Sequence, residues 1–154
     1  MADFTIEPGK SKLSHWRRIA ETPTTVALHA DAWSAIERSR KTVETALASG
    51  EAIYGVNTGF GKLAQKRIPD NELKLLQRNL VLSHATGVGE PLSDSVTRLV
   101  MALKISSLAR GYSGVRRVVV VRLLELLNKN VLPEIPCQGS VGASVDLAPL
   151  AHMS

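Results

Sequence analysis

"SDSVTRLVMALKISSLARG", residues 93–111, decides how the rest of the chain is read. Ser93 offers an N-cap, and the run behind it is apolar on nearly every side apart from Arg98 and Lys104. A helix with so little polar surface is a helix buried among other helices. It needs several neighbours, and the sequence on either side supplies candidates.

Downstream, "SGVRRVVVVRLLELLNKN" (113–130) is ambiguous: four valines favour a strand, while "RLLELLNK" and the length of the run favour a helix. The length of the run predicts a helix. Upstream, Pro69 and Asp70 open "DNELKLLQRNLVLSHATG", in which Leu73, Leu76, Leu80 and His84 share one stripe with Gln77, and Gly87 ends the run. "DAWSAIERSRKTVETALASG" (31–50) places Ala32, Ile36, Ser39, Val43 and Leu47 on one face, with Gly50 as the stop. "SKLSHWRRIAE" predicts a short helix capped by Ser11 and ended by Pro23, and "TTVALH" a brief strand. The expected fold is all-α, with one small extended element and functional loops.

One of those loops is "IYGVNTGFGKLAQKRI" (53–68), whose three glycines predict a mobile surface segment unless something orders it; Tyr54 opens it. Pro133 and Pro136 punctuate the approach to another, Gly139 to Asp146, which leads into a last helical run. Two of the long helices are too apolar for a domain of this size on its own, and such a surplus usually meets a partner surface or missing chain.

A chain of 154 residues can bury one core. Its 44% hydrophobic and 21% charged residues exclude disorder and low-complexity classes. The net charge of +5 is spread through pairs such as Arg17-Arg18 and Arg116-Arg117, and aromatics make up only 4%. Neither the basic stripe nor the interleaved aromatics of a nucleic-acid binder are present. A single cysteine, Cys137, fits a reducing cytoplasm and excludes a cysteine metal cluster, and no metal is expected. No stretch approaches the ~20 apolar residues of a membrane span, and the first residues have no apolar core of a secretory signal, so a cytoplasmic location is expected.

The last stretch, "GSVGASVDLAPLAHMS" (139–154), joins small residues that permit a tight backbone path to a helix start at Asp146. It resembles the signature of the aromatic amino-acid ammonia-lyases, whose Ala-Ser-Gly triad cyclises and dehydrates to 4-methylidene-imidazol-5-one. "YGVNTGFG" (54–61), "LQRNLVLSHATGVG" (76–89) and "SSLARGYSGVR" (106–116) are similar to further blocks of that family, in the same order. The histidine-specific members are the most similar.

The resemblance implies a fold and a set of roles. Residues 1–154 are expected to form the helical N-terminal part of a lyase-like fold, one domain truncated just after the signature. Ser144 would supply the methylidene carbon, and the amide nitrogen of Val145 would attack the carbonyl of Ala143. Tyr54 would take part in acid–base chemistry, and a phenol, with its reference pKa of ~10, needs a positive or hydrogen-bonding neighbour for that work. His84, paired with Ser83, would line the substrate pocket, while Gln77 and Asn79 read as helix-packing polar groups. The implied substrate is L-histidine, converted to urocanate and ammonia; tyrosine is the alternative. The implied assembly is a homotetramer with active sites shared among subunits.

There is one departure within the signature. The family has Gly where this chain has Val145, and a β-branched residue narrows the backbone angles that ring closure needs. A non-catalytic helical remnant or association module is therefore the competing reading.

Overall fold

A computed structural model describes residues 2–141 and 146–154. They form two compact units, each drawn from two separate stretches of chain: residues 1–43 with 92–133, and residues 44–91 with 134–154.

In the first unit, β1 (Phe4–Ile6) pairs in parallel with β2 (Val26–Leu28), in the register Phe4↔Val26 and Ile6↔Leu28. Between them runs α1 (Leu13–Glu21), and after them α2 (Ala30–Ala48) starts, its last residues belonging to the second unit. The unit is completed by α4 (Asp94–Ala109) and α5 (Arg117–Asn128). The ambiguity over the valine run is thus settled as helix.

The nearly all-round apolar character of α4 has a direct consequence for packing. Thr97, Met101, Ile105 and Leu108 are buried together with Arg98, Ala102 and Ala109, two adjacent stripes at helical spacing. The helix therefore packs against α1 with one part of its surface and α5 with another. Ser93 caps it as expected, its hydroxyl accepting from the Val96 N–H. Arg98 is 8% exposed, and its guanidinium donates through Nε and Nη2 to the Ala20 carbonyl at 3.1 and 2.9 Å, with Nη1 reaching Asn130 Oδ1 at 3.3 Å. A buried charge is tolerable because it is hydrogen-bonded, and here it satisfies a carbonyl in the last turn of α1. Asn128 does similar work on β2: its amide accepts from the Val26 N–H at 2.8 Å and donates to the Val26 carbonyl at 2.9 Å.

Gly111 follows α4 with φ +74, and a Cβ placed there would lie 2.6 Å from the backbone carbonyl carbon and oxygen of Ala35. The left-handed backbone and the approach to α2 each require glycine.

The second unit holds the loop from Glu51 onward, a 3-10 turn at Asp70–Glu72, α3 (Leu73–His84), β3 (Val88–Pro91), β4 (Pro136–Gln138) and α6 (Leu147–Met153). β3 and β4 pair antiparallel, Val88 opposite Gln138, and α3 packs on α6.

The all-α expectation holds, with adjustments. Ser11 is not the cap of α1: Lys12 occupies that position, its N–H donating to His15 Nδ1 at 3.2 Å, while the Ser11 hydroxyl turns back toward the Glu7 carbonyl. Among the described residues four short strands appear where one extended element was expected. α3 stops at His84, short of Gly87.

Among the described residues, no helix is long and apolar enough to cross a membrane. The expected apolar surplus is present: Val96 and Leu103 on α4, and Val118, Val119 and Leu126 on α5, stand exposed. We expect the isolated chain to self-associate and to bind a hydrophobic dye. Sedimentation at low concentration checks this, and a compact monomer that leaves the dye dark would refute it.

Candidate functional site

The glycine-rich loop is ordered by two buried polar side chains. Asn57 is 0% exposed; its Oδ1 accepts from the Ile53 N–H at 2.6 Å and its Nδ2 donates to the Glu51 carbonyl at 2.8 Å. Its own backbone carbonyl accepts from Ile68 N–H at 2.8 Å, and Thr58 bridges to Arg67 across the loop. Thr58, 1% exposed, uses its hydroxyl on the Gly59 carbonyl and the Gly55 N–H. These polar side chains replace the ladder a strand would have supplied. The segment expected to be mobile is therefore held from within.

Tyr54 stands at the mouth of this loop, 63% exposed, its ring tilted against Phe60 with centroids 5.4 Å apart. Gln77, expected only as a packing group on α3, donates to the Gly55 carbonyl at 3.4 Å and so ties the helix to the residue after Tyr54.

His84 ends α3 and is half-buried, in keeping with the stripe it shares with Leu73, Leu76 and Leu80. Its Nδ1 lies 2.8 Å from the Leu80 carbonyl and 3.1 Å from the Ser83 hydroxyl. A carbonyl only accepts, so Nδ1 donates to it; in the neutral form of the ring Nε2 is then left as an acceptor for a partner with an N–H or O–H.

That ring lines a cleft of about 210 Å³ together with Ser83, Thr86, Gly139, Val141, Leu147 and Ala148. Gly139 and Val141 precede residues 142–145, and Leu147 closely follows them. Ala143, Ser144 and Val145, the three residues of the signature triad, lie outside the described residues. Their flanks are tied together, the Ser140 hydroxyl donating to Asp146 Oδ2 at 2.9 Å. Asp146 occupies the N-cap of α6, but its carboxylate serves Ser140 rather than the helix. His84 is thus brought to both flanks of the signature, whereas Tyr54 is not among the residues lining this cleft. Among the described residues, no group of three or more His, Cys, Asp or Glu side chains could hold a metal ion.

Over 151 residues the chain is 57% identical to histidine ammonia-lyase of Burkholderia mallei (strain NCTC 10229), covering 98% of this chain and 30% of that protein. Over 154 residues it is 53% identical to histidine ammonia-lyase of Photorhabdus laumondii subsp. laumondii, covering all of this chain and again 30% of the relative. The chain therefore spans about 30% of the length of the curated relatives it matches. Among solved structures, Pantoea agglomerans phenylalanine aminomutase superposes with a TM-score of 0.90 at 36% identity, over 97% of this chain and 29% of that one. The Aromatic amino acid lyase family matches residues 12–154, and the chain belongs to that family.

Proposed function

We propose that this chain carries one part of the active site of a histidine ammonia-lyase, which removes the α-amino group and a β-proton of L-histidine to give urocanate and ammonia. The observation that carries the reading is the Ser83–His84 pair on a cleft whose other wall is the two flanks of the Ala143-Ser144 signature. The lone pair on His84 Nε2 suits the N–H of a substrate imidazole. A phenol O–H would donate to the same atom, which keeps tyrosine as the alternative substrate; the histidine ammonia-lyase relatives at 57% and 53% identity favour histidine. Tyr54, on its anchored loop, is the proposed acid–base group. Its ring contact with Phe60 supplies no charge, so a partner for the phenol has to come from outside that contact.

The prosthetic group of the family is 4-methylidene-imidazol-5-one. Ala143 has the carbonyl and Ser144 the hydroxyl it needs, and the Ser140–Asp146 hydrogen bond holds the flanks close, as a compressed loop requires. Val145 does not fit: its branched Cβ opposes the backbone angles through which nitrogen 145 would reach carbonyl 143. As it stands, the chain is proposed not to form the ring. The enzyme it derives from is proposed to be a cytoplasmic homotetramer; the lone, exposed Cys137 suits a reducing compartment.

The test is direct. The purified chain is expected to produce no urocanate from L-histidine, read by near-ultraviolet absorbance. Turnover clearly above a heat-killed control overturns this.

Val145 and the exposed apolar residues of α4 and α5 favour a second reading, a non-catalytic remnant that associates through those helices. Mixed with a full-length lyase, such a remnant would co-sediment with it; the first reading requires no such complex.

A further inference from the structure

Gly87 lies just past His84, and several pieces of the second unit converge on it. Its N–H donates to Nε2 of His152, on α6, at 2.9 Å. A Cβ on Gly87 would stand 3.1 Å from the Gln138 carbonyl oxygen, 3.1 Å from that same Nε2 and 3.2 Å from Pro136 Cβ. Gly139 is closer still: with φ +138, a Cβ of its own would lie 2.9 Å from the Gly87 Cα. Two glycine backbones touch here, and a histidine ring closes over the amide of one of them.

The donor in the Gly87–His152 bond is a backbone N–H, so Nε2 must accept, which places the ring proton on Nδ1. The bond spans 65 positions of sequence and joins the segment after α3 to α6. At one end of that span sits His84; at the other, α6 begins two residues after Val145. α6 has seven residues, too few to hold its place by helix propensity. Its position depends on what it touches.

We propose that His152 is a positioning residue: by accepting the Gly87 N–H it locks α6 to the end of α3 and so sets the spacing between the Ser83–His84 pair and the C-terminal flank of residues 142–145. The clasp stands on geometry alone; that the thing positioned is a lyase site rests on the reading above.

The test uses the whole 154-residue chain labelled with nitrogen-15. In the unsubstituted chain, His152 is expected to show a protonated Nδ1, an unprotonated Nε2 and a coupling across the hydrogen bond to the Gly87 amide. A protonated Nε2 overturns the proposal whether or not any variant folds. His152→Phe keeps a ring and removes the acceptor; it is expected to speed hydrogen exchange at Gly87 roughly tenfold, the loss of about one ordinary hydrogen bond. The His84 ring resonances should move with it, while Met101 and Ile105 in α4 stay in place. His152→Gln, whose amide oxygen can take the place of Nε2, should restore both. Should the Phe variant change Gly87 and leave His84 unmoved, the role is structural only and the positioning claim fails. None of these readouts needs substrate or a formed ring, so a failure of the lyase reading does not register in them.

Discussion

When residues 1–154 replace the matching segment of the Burkholderia mallei relative, Val145→Gly is expected to yield a protein lighter by two waters and carrying a new near-ultraviolet band; the valine form is expected to show neither. One water leaves when nitrogen 145 closes on carbonyl 143, the other when Ser144 loses its hydroxyl. Closure presses nitrogen 145 within bonding distance of a carbon two residues back. Glycine reaches the required backbone angles without a Cβ to collide, whereas valine is stiff at both backbone and χ1. The effect is close to all-or-none because the ring either forms or does not. The chimera is the proper setting, since the chain spans only 30% of that relative. Equal two-water loss in both forms would show that steric crowding at 145 is irrelevant to closure.

Gly111→Ala is expected to lower the stability of the first unit markedly. The left-handed angle costs an alanine about 1 kcal/mol, and driving its Cβ into the α2 backbone costs about 2 kcal/mol more, since a helix backbone yields less readily than a side chain. Gly9→Ala is the matched control: φ is +82 there, but nothing lies within 4 Å of the added carbon. It should lose only the conformational part, about 1 kcal/mol. Urea midpoints of the two variants give the comparison. Equal losses would mean that the contact with Ala35 contributes nothing.

The helices were legible because their information is local. Ile36 is buried and Val43 half-buried on the face that their spacing predicts, and Ser93 caps the helix it precedes. What the sequence hides is polar chemistry acting over distance. Arg98 looks like an interruption in an apolar helix, yet it is buried against a carbonyl that lies 78 positions earlier. β3, "VGEP", and β4, "PCQ", have no alternating pattern to read, being paired only by what surrounds them. The same distinction divides the site. Tyr54, His84 and the Ala143-Ser144 pair are visible because motifs mark them. Asn57 sits inside one of those motifs, but nothing in its neighbours tells that its side chain holds the loop. His152 and Gly87 also lie inside such blocks, but nothing local tells that the ring of one accepts from the backbone amide of the other.

The first unit is discontinuous, its early half ending at Val43 and its later half starting at Leu92. Synthesis from the N-terminus imposes a waiting time. α1 leaves the ribosome well before α4, the helix it packs against, and Val26 before Asn128, which lies 102 positions on. At a translation rate of about 10 residues per second, β2 waits on the order of ten seconds for the side chain that satisfies it. During that interval Ile6, Ile19 and Ile36, all buried in the finished unit, have no core to enter. The nascent chain is in that period open to whatever binds exposed apolar segments at the ribosome.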